Sequence, residues 1–204
     1  MNRLCVSLVS LLLAFPAVAF AQRASVPVAM HTNPASASSF PAEARQFDFL
    51  LGLWQIEVRP KVSGLVALIH GTPRLAGTWK AWRAADGLGI EDDVRVADGS
   101  GNPITSDRSH RTWVKSEGRW RINGVDTAHG RSSTAIAAWR GGEMHVDGQF
   151  IDAEGVRTLT RTRYYAITAN AFHWQQDRSE DNGKSWEEAA LTIDARRLPA
   201  SPTH

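Results

Sequence analysis

Cysteine is almost missing from this chain of 204 residues: the only one, Cys5, lies within an apolar N-terminal segment. It comes too early to be the lipid-modified cysteine that follows such a segment, so lipoprotein processing is not expected. With that segment removed no thiol remains, which excludes disulfides, thiolate metal sites and cysteine nucleophiles. Excess charge is missing too. There are 23 Lys and Arg against 21 Asp and Glu, a formal +2, and the basic residues are scattered among acids. That leaves no electrostatic footprint for nucleic acid. No later apolar run approaches transmembrane length, so no integral membrane segment is expected in the mature chain. His70, His110, His129, His145 and His173 are dispersed, without His-x-His or His-Glu-x-x-His spacing. A Gly-x-Ser-x-Gly elbow, a phosphate loop and a dinucleotide fingerprint are likewise absent. Neither metal nor cofactor is expected, and no catalytic residue declares itself.

What is present begins with the three parts of a secretory signal peptide over residues 1–21. Arg3 charges the n-region, Leu4 to Phe15 form a short apolar core, and Ala19-Phe20-Ala21 sets small residues before the cleavage point. Gln22 would begin the mature chain, which is then periplasmic or secreted. Residues 22–43 are rich in Ala, Ser, Pro and Val without periodicity, as a disordered leader would be. Residues 44–198 carry one uninterrupted pattern and read as a single domain, with a short disordered tail at 199–204. Ala42 to Gln46 could supply one helical turn at its start.

Within the domain, short strand-like runs recur between turn signals. Trp54, Ile56 and Val58 alternate with Gln55, Glu57 and Arg59 after a glycine break at Gly52. Further runs cover Arg74–Ala84, Ile90–Val96, Arg111–Lys115, Arg119–Val125, Thr134–Trp139, Glu143–Ile151, Val156–Ile167, Phe172–Arg178 and Trp186–Arg196, while Asp98–Pro103 has loop composition. No run has the period and length of a crossover helix, which argues against a parallel α/β sheet. A long antiparallel meander must protect its edges, and closure does so most completely. The expected fold is all-β: an antiparallel up-and-down, lipocalin-like barrel of about nine or ten strands, preferred over a sandwich.

Two end segments carry a resemblance. Phe47-Asp48-Phe49-Leu50-Leu51-Gly52-Leu53-Trp54 and Asp181-Asn182-Gly183-Lys184-Ser185-Trp186, with Gly77–Arg83, Asp86–Asp92 and Thr160–Tyr165 between them, resemble a large bacterial domain family of unknown function. Its members look like lipocalin-type (calycin-like) barrels, often behind a signal peptide. The resemblance spans roughly residues 44–197 and implies the fold, without supplying a catalytic residue. Ser109-His110-Arg111-Thr112-Trp113 is more polar than those relatives lead one to expect. The Ser179–Trp186 hairpin also resembles the Asp-box of sialidase-like propellers. It occurs once here, whereas a propeller repeats it in each blade, so it implies a local turn rather than glycosidase chemistry.

Alternation gives an expected lumen. Phe172, Trp174 and Gln176 should point inward, as should Met144, Val146, Gly148 and Phe150, and the apolar face of the last strand should be Ala189, Leu191, Ile193 and Ala195. Thr158, Thr160 and Thr162 look like an outward row, which sends Leu159, Arg161, Arg163 and Tyr165 inward. His145 and His173 fall on the outward parity. Two inward arginines need partners, and Asp92, inward on its own run, is a candidate. Trp79, Trp82, Asp92, Arg161, Arg163, Tyr165, Trp174 and Gln176 are therefore the expected ligand contacts. Arg161, Arg163 and Asp92 would orient a polar head, and the aromatic side chains would contact an apolar part. The expected partner is a small amphipathic or hydrophobic molecule. Other readings stay open: a small-molecule isomerase or proton-transfer enzyme in the same lumen, a structural barrel with a filled lumen and an exposed apolar patch, or arginines serving only a salt-bridge cluster.

Overall fold

The computed structural model describes residues 41–62 and 73–199. The expected signal peptide, most of the leader and nearly all of the tail lie outside the described residues. Two 3₁₀ turns, Ala42–Arg45 and Asp48–Leu50, precede ten strands. These are β1 Gly52–Pro60, β2 Leu75–Arg83, β3 Gly89–Ala97, β4 Pro103–Val114, β5 Arg119–Asp126, β6 Arg131–Arg140, β7 Glu143–Ile151, β8 Arg157–Tyr165, β9 Ala171–Ser179 and β10 Glu187–Arg197. Each strand pairs antiparallel with the next, and β10 pairs with β1. The sheet is a closed up-and-down barrel with no free edge, as the meander implied.

The apolar run before Gly52 has its own task. Its two 3₁₀ turns seat Phe47 and Leu50, both fully buried, across the end of the barrel where β1 begins. Phe47 meets Trp120 and Tyr164 edge-on, with ring centroids 5.1 and 5.9 Å apart, and Phe49 meets Tyr164 and Phe172. Such pairs contribute beyond the area they bury. Polar ties fix the plug. Trp54 donates its indole N–H to the Leu50 carbonyl at 2.7 Å, Trp120 donates to Gln46 at 3.3 Å, and Arg83 pairs with Asp48. Arg197 at the end of β10 donates to the carbonyls of Leu51 and Phe49 at 2.5 and 3.1 Å, with its guanidinium carbon 4.0 Å from the Trp54 ring centroid. Gly52 lets the chain turn from plug to wall: its φ is +115°, and a Cβ there would lie 2.6 Å from that same guanidinium.

Above the plug the inward residues of β1, β7 and β9 are those that alternation assigned: Trp54, Ile56 and Val58; Met144, Val146, Gly148 and Phe150; Phe172, Trp174 and Gln176. Three sequence expectations are corrected. β4 starts at Pro103, eight residues before the run assigned to it, because its first half is mixed polar and looked like loop. In β10 a register shift between Glu187 and Leu191, with Ala189 at φ 50°, buries Ala190 where Ala189 was expected.

The third correction concerns β8. Met144, Val146, Gly148 and Phe150 stand opposite Tyr164, Thr162, Thr160 and Thr158, and directly opposed residues share a face. The threonines therefore point into the barrel and Leu159, Arg161, Arg163 and Tyr165 point away from it. An outward arginine keeps its hydration and still finds aromatic surface: Arg161 lies 3.7 Å from the Trp186 ring centroid and Arg163 lies 4.4 Å from that of Tyr165.

The Ser179–Trp186 hairpin is the local device its sequence implied. Asn182 and Gly183 take positive φ, Asp181 accepts from the Ser185 amide at 2.9 Å and its hydroxyl at 2.6 Å, and Trp186 donates to the Gly183 carbonyl. Those bonds, chiefly from the Ser185 hydroxyl, lower the Asp181 carboxyl to about 2.

Candidate functional site

The barrel encloses a cavity of about 430 Å³. Its size falls in the range of small-molecule pockets. The plug closes one end, and the cavity runs from there toward Pro60, the β5–β6 turn and the far end of β9. Trp79, Val94, Ile122, Val146, Trp174 and Ile193 make its wall largely apolar.

Polar groups occupy two levels. On the floor, Asp92 and Arg111 form a buried ion pair between β3 and β4, 0% and 4% exposed. Arg111 also donates to the Tyr164 hydroxyl at 3.4 Å and stands 5.3 Å from the Phe47 ring centroid. Next to this level Trp79, 3% exposed, has an indole N–H with no acceptor among the described residues. This is the inward aspartate that the alternation of β3 predicted, with a different arginine as partner.

Nearer the mouth, Asp107 and Asp126 face each other across β4 and β5. Asp126 is held by many donors: the amides of Ser106 and Ala128 at 3.3 and 3.0 Å, Arg131 at 3.2 Å, and the His129 ring 2.7 Å away. Burial alone would raise its carboxyl, but these hydrogen bonds, that from His129 foremost, bring it below the ordinary range. Among the described residues, Asp107 has only the Ser109 hydroxyl as donor, at 2.9 Å. Solvent reaches it through the lumen while protein surrounds it, so burial, helped by the charge of Asp126, pushes its carboxyl up. Across the lumen Arg178 is depressed by burial and by the positive charge of Arg131.

Of the residues expected to contact a ligand, Trp79, Asp92, Trp174 and Gln176 are brought together around the cavity. Trp82, Arg161, Arg163 and Tyr165 are not. Trp82 shares the outer face with Lys80 and donates to Glu91 at 3.2 Å, and Tyr165 stacks on the outward His173. Sequence reasoning missed Asp107, Arg111, Asp126, Arg131, Tyr164 and Arg178 as lumen residues. Two signals were available. Arg178 is the next step after Phe172, Trp174 and Gln176, and the unusually polar stretch around residue 110 puts Ser109 and Arg111 on the inner face of β4. Side chains of the described residues do not fill the lumen, as a purely structural barrel would require.

No protein-family model matches the chain, and no curated protein sequence does either. Three solved structures are among those similar to it. One is EF1p2_mFAP2b bound to DFHBI, at 12% identity and a TM-score of 0.39 over 76% of this chain and 99% of that one. Another is the redesigned β-barrel b11L5F_LGL, at 12% and 0.40 over 74% and 94%. A third is a de novo designed fluorescence-activating β-barrel, at 13% and 0.35 over 74% and 95%.

Proposed function

We propose that this protein is an exported barrel that binds a small amphipathic or hydrophobic molecule in its lumen, as a member of the lipocalin-like family its end segments resemble. The observation that carries the reading is the cavity of about 430 Å³, closed at one end by a fixed aromatic plug and walled by apolar side chains with a few convergent polar groups. A pre-formed space of this kind lets a ligand bury apolar surface without first reorganising the protein. Trp79 and Trp174 contact the apolar part, and Gln176, Asp92 and the Trp79 indole N–H offer polar contacts.

An uncharged solvatochromic dye such as Nile red tests this. The dye should bind the wild type with a blue-shifted emission and lose that binding in Val94→Trp, which places a large side chain in the lumen. Equal binding by both proteins would put the dye elsewhere and contradict the reading.

A second reading, proton-transfer catalysis in the same lumen, is favoured by Asp107 and Asp126. Two facing carboxyl groups driven in opposite directions are what an acid–base site requires. Carboxyl-carbon NMR should show Asp107 titrating above Asp126, and coincident titrations would remove the reading.

A further inference from the structure

Arg131 on β6 and Arg178 on β9 approach one ring from two strands. Their guanidinium carbons lie 5.3 and 5.7 Å from the centroid of Phe150, and all three residues line the cavity. Two like charges meeting inside a barrel repel, and the low-dielectric wall strengthens that repulsion. Only Arg131 is compensated by direct contact; Arg178 feels Glu187, opposite it on β10, and Glu180 at longer range. Arg131 donates to Asp126 at 3.2 Å. Arg178 enters no ion pair among the described residues and spends its Nε–H on the neutral Gln176 amide oxygen at 3.0 Å. All 21 Asp and Glu residues of the sequence fall within the described segments, and none of them comes within ion-pair distance of Arg178. The Nη groups of Arg178 make no hydrogen bond among the described residues, and the buried Nε of Arg131 has no partner either.

We infer that Arg178 and Arg131 form a receptor for the carboxylate of an amphipathic monoanion whose apolar body lies along Trp174, Val146 and Ile193. The proposal rests on the lumen-binding reading above and names the ligand's charged group. A carboxylate between the two guanidinium groups accepts paired N–H bonds from a rigid fork and screens one cation from the other. Its location fixes the ligand's orientation. The arginines sit toward the end opposite the plug and the apolar wall lies nearer the plug, so the tail points to the plug and the head away from it. An alkylammonium ligand would instead have to turn to Asp107, placing a cation beside two others.

Isothermal titration with decanoate, 1-decanol and decylamine tests the assignment, since the three share one tail. The wild type should bind decanoate about 10-fold or more tighter than decanol, as charged hydrogen bonds imply, and decylamine weakest. Arg178→Gln should equalise acid and alcohol, and Arg178→Lys should restore part of the preference. Unchanged thermal midpoints would show that both variants are folded. Decanol bound as tightly as decanoate by the wild type, a preference that survives Arg178→Gln, or strongest binding of decylamine would each overturn the carboxylate receptor alone. Failure of all three to bind would overturn it together with the lumen-binding reading.

Discussion

Asp92 and Arg111 are diagonal neighbours on β3 and β4, and their ion pair lies buried on the floor of the lumen beneath Phe47. Their desolvation is tolerable because each charge answers the other. Removing one partner should be costly: Asp92→Asn leaves the Arg111 cation without its anion, and urea unfolding should show a loss of about 3–5 kcal/mol. Asp92→Leu combined with Arg111→Met should recover most of it. An Asp92→Asn protein as stable as the wild type would mean the pair is hydrated rather than buried.

The plug should behave as part of the core. Phe47 is fully buried against Trp120 and Tyr164, so Phe47→Ala should cost about 3–5 kcal/mol. Arg197→Ala should cost less but free the plug, since Arg197 ties Phe49 and Leu51 to β10. Acrylamide quenching of tryptophan emission should rise in Arg197→Ala. Unchanged quenching would show that the plug holds without it.

Acid should loosen the last hairpin at a defined point. The folded Asp181 carboxyl is lowered to about 2 from an ordinary 3.8. A lowered acid stabilises the fold above the ordinary value, and that contribution drains as pH falls through about 2. The amide resonances of Gly183 and Ser185, which donate to Ser179 and Asp181, should shift over that window. In Asp181→Asn the window should disappear. A shift centred near pH 4 would contradict the hydrogen-bond network.

Asp107 carries the opposite sign. Its carboxyl is raised by burial, so its contribution is complete below the ordinary carboxylate range and is lost as pH climbs through the folded value. Asp107→Asn removes that cost and should raise the urea midpoint at neutral pH, the gain fading below about pH 4. A destabilised Asp107→Asn at neutral pH would show that the ionised form is the one the fold prefers.

The barrel was legible because its strands punctuate themselves. Gly52, Gly141-Gly142 and Asn182-Gly183 mark turns, and Trp54, Ile56 and Val58 repeat with the period of a wall. The site was less legible because alternation gives two faces without saying which is inside. In β8 the run Thr158-Thr160-Thr162 looked solvated, yet a lumen that stays open does not require apolar residues at every inward position. Pairing with β7, whose face was read as the structure has it, would have set the parity of β8. Arg111 escaped for another reason: its partner Asp92 is on a neighbouring strand, and spacing along the chain does not report contacts across one.

Native mass spectrometry of the protein purified from its own host shows whether the lumen carries a ligand. The wild type should retain a small molecule that dissociates on activation, and Val94→Trp purified in the same way should emerge without it. A wild type that is repeatedly empty, or an adduct that survives in Val94→Trp, would contradict a ligand held in the lumen.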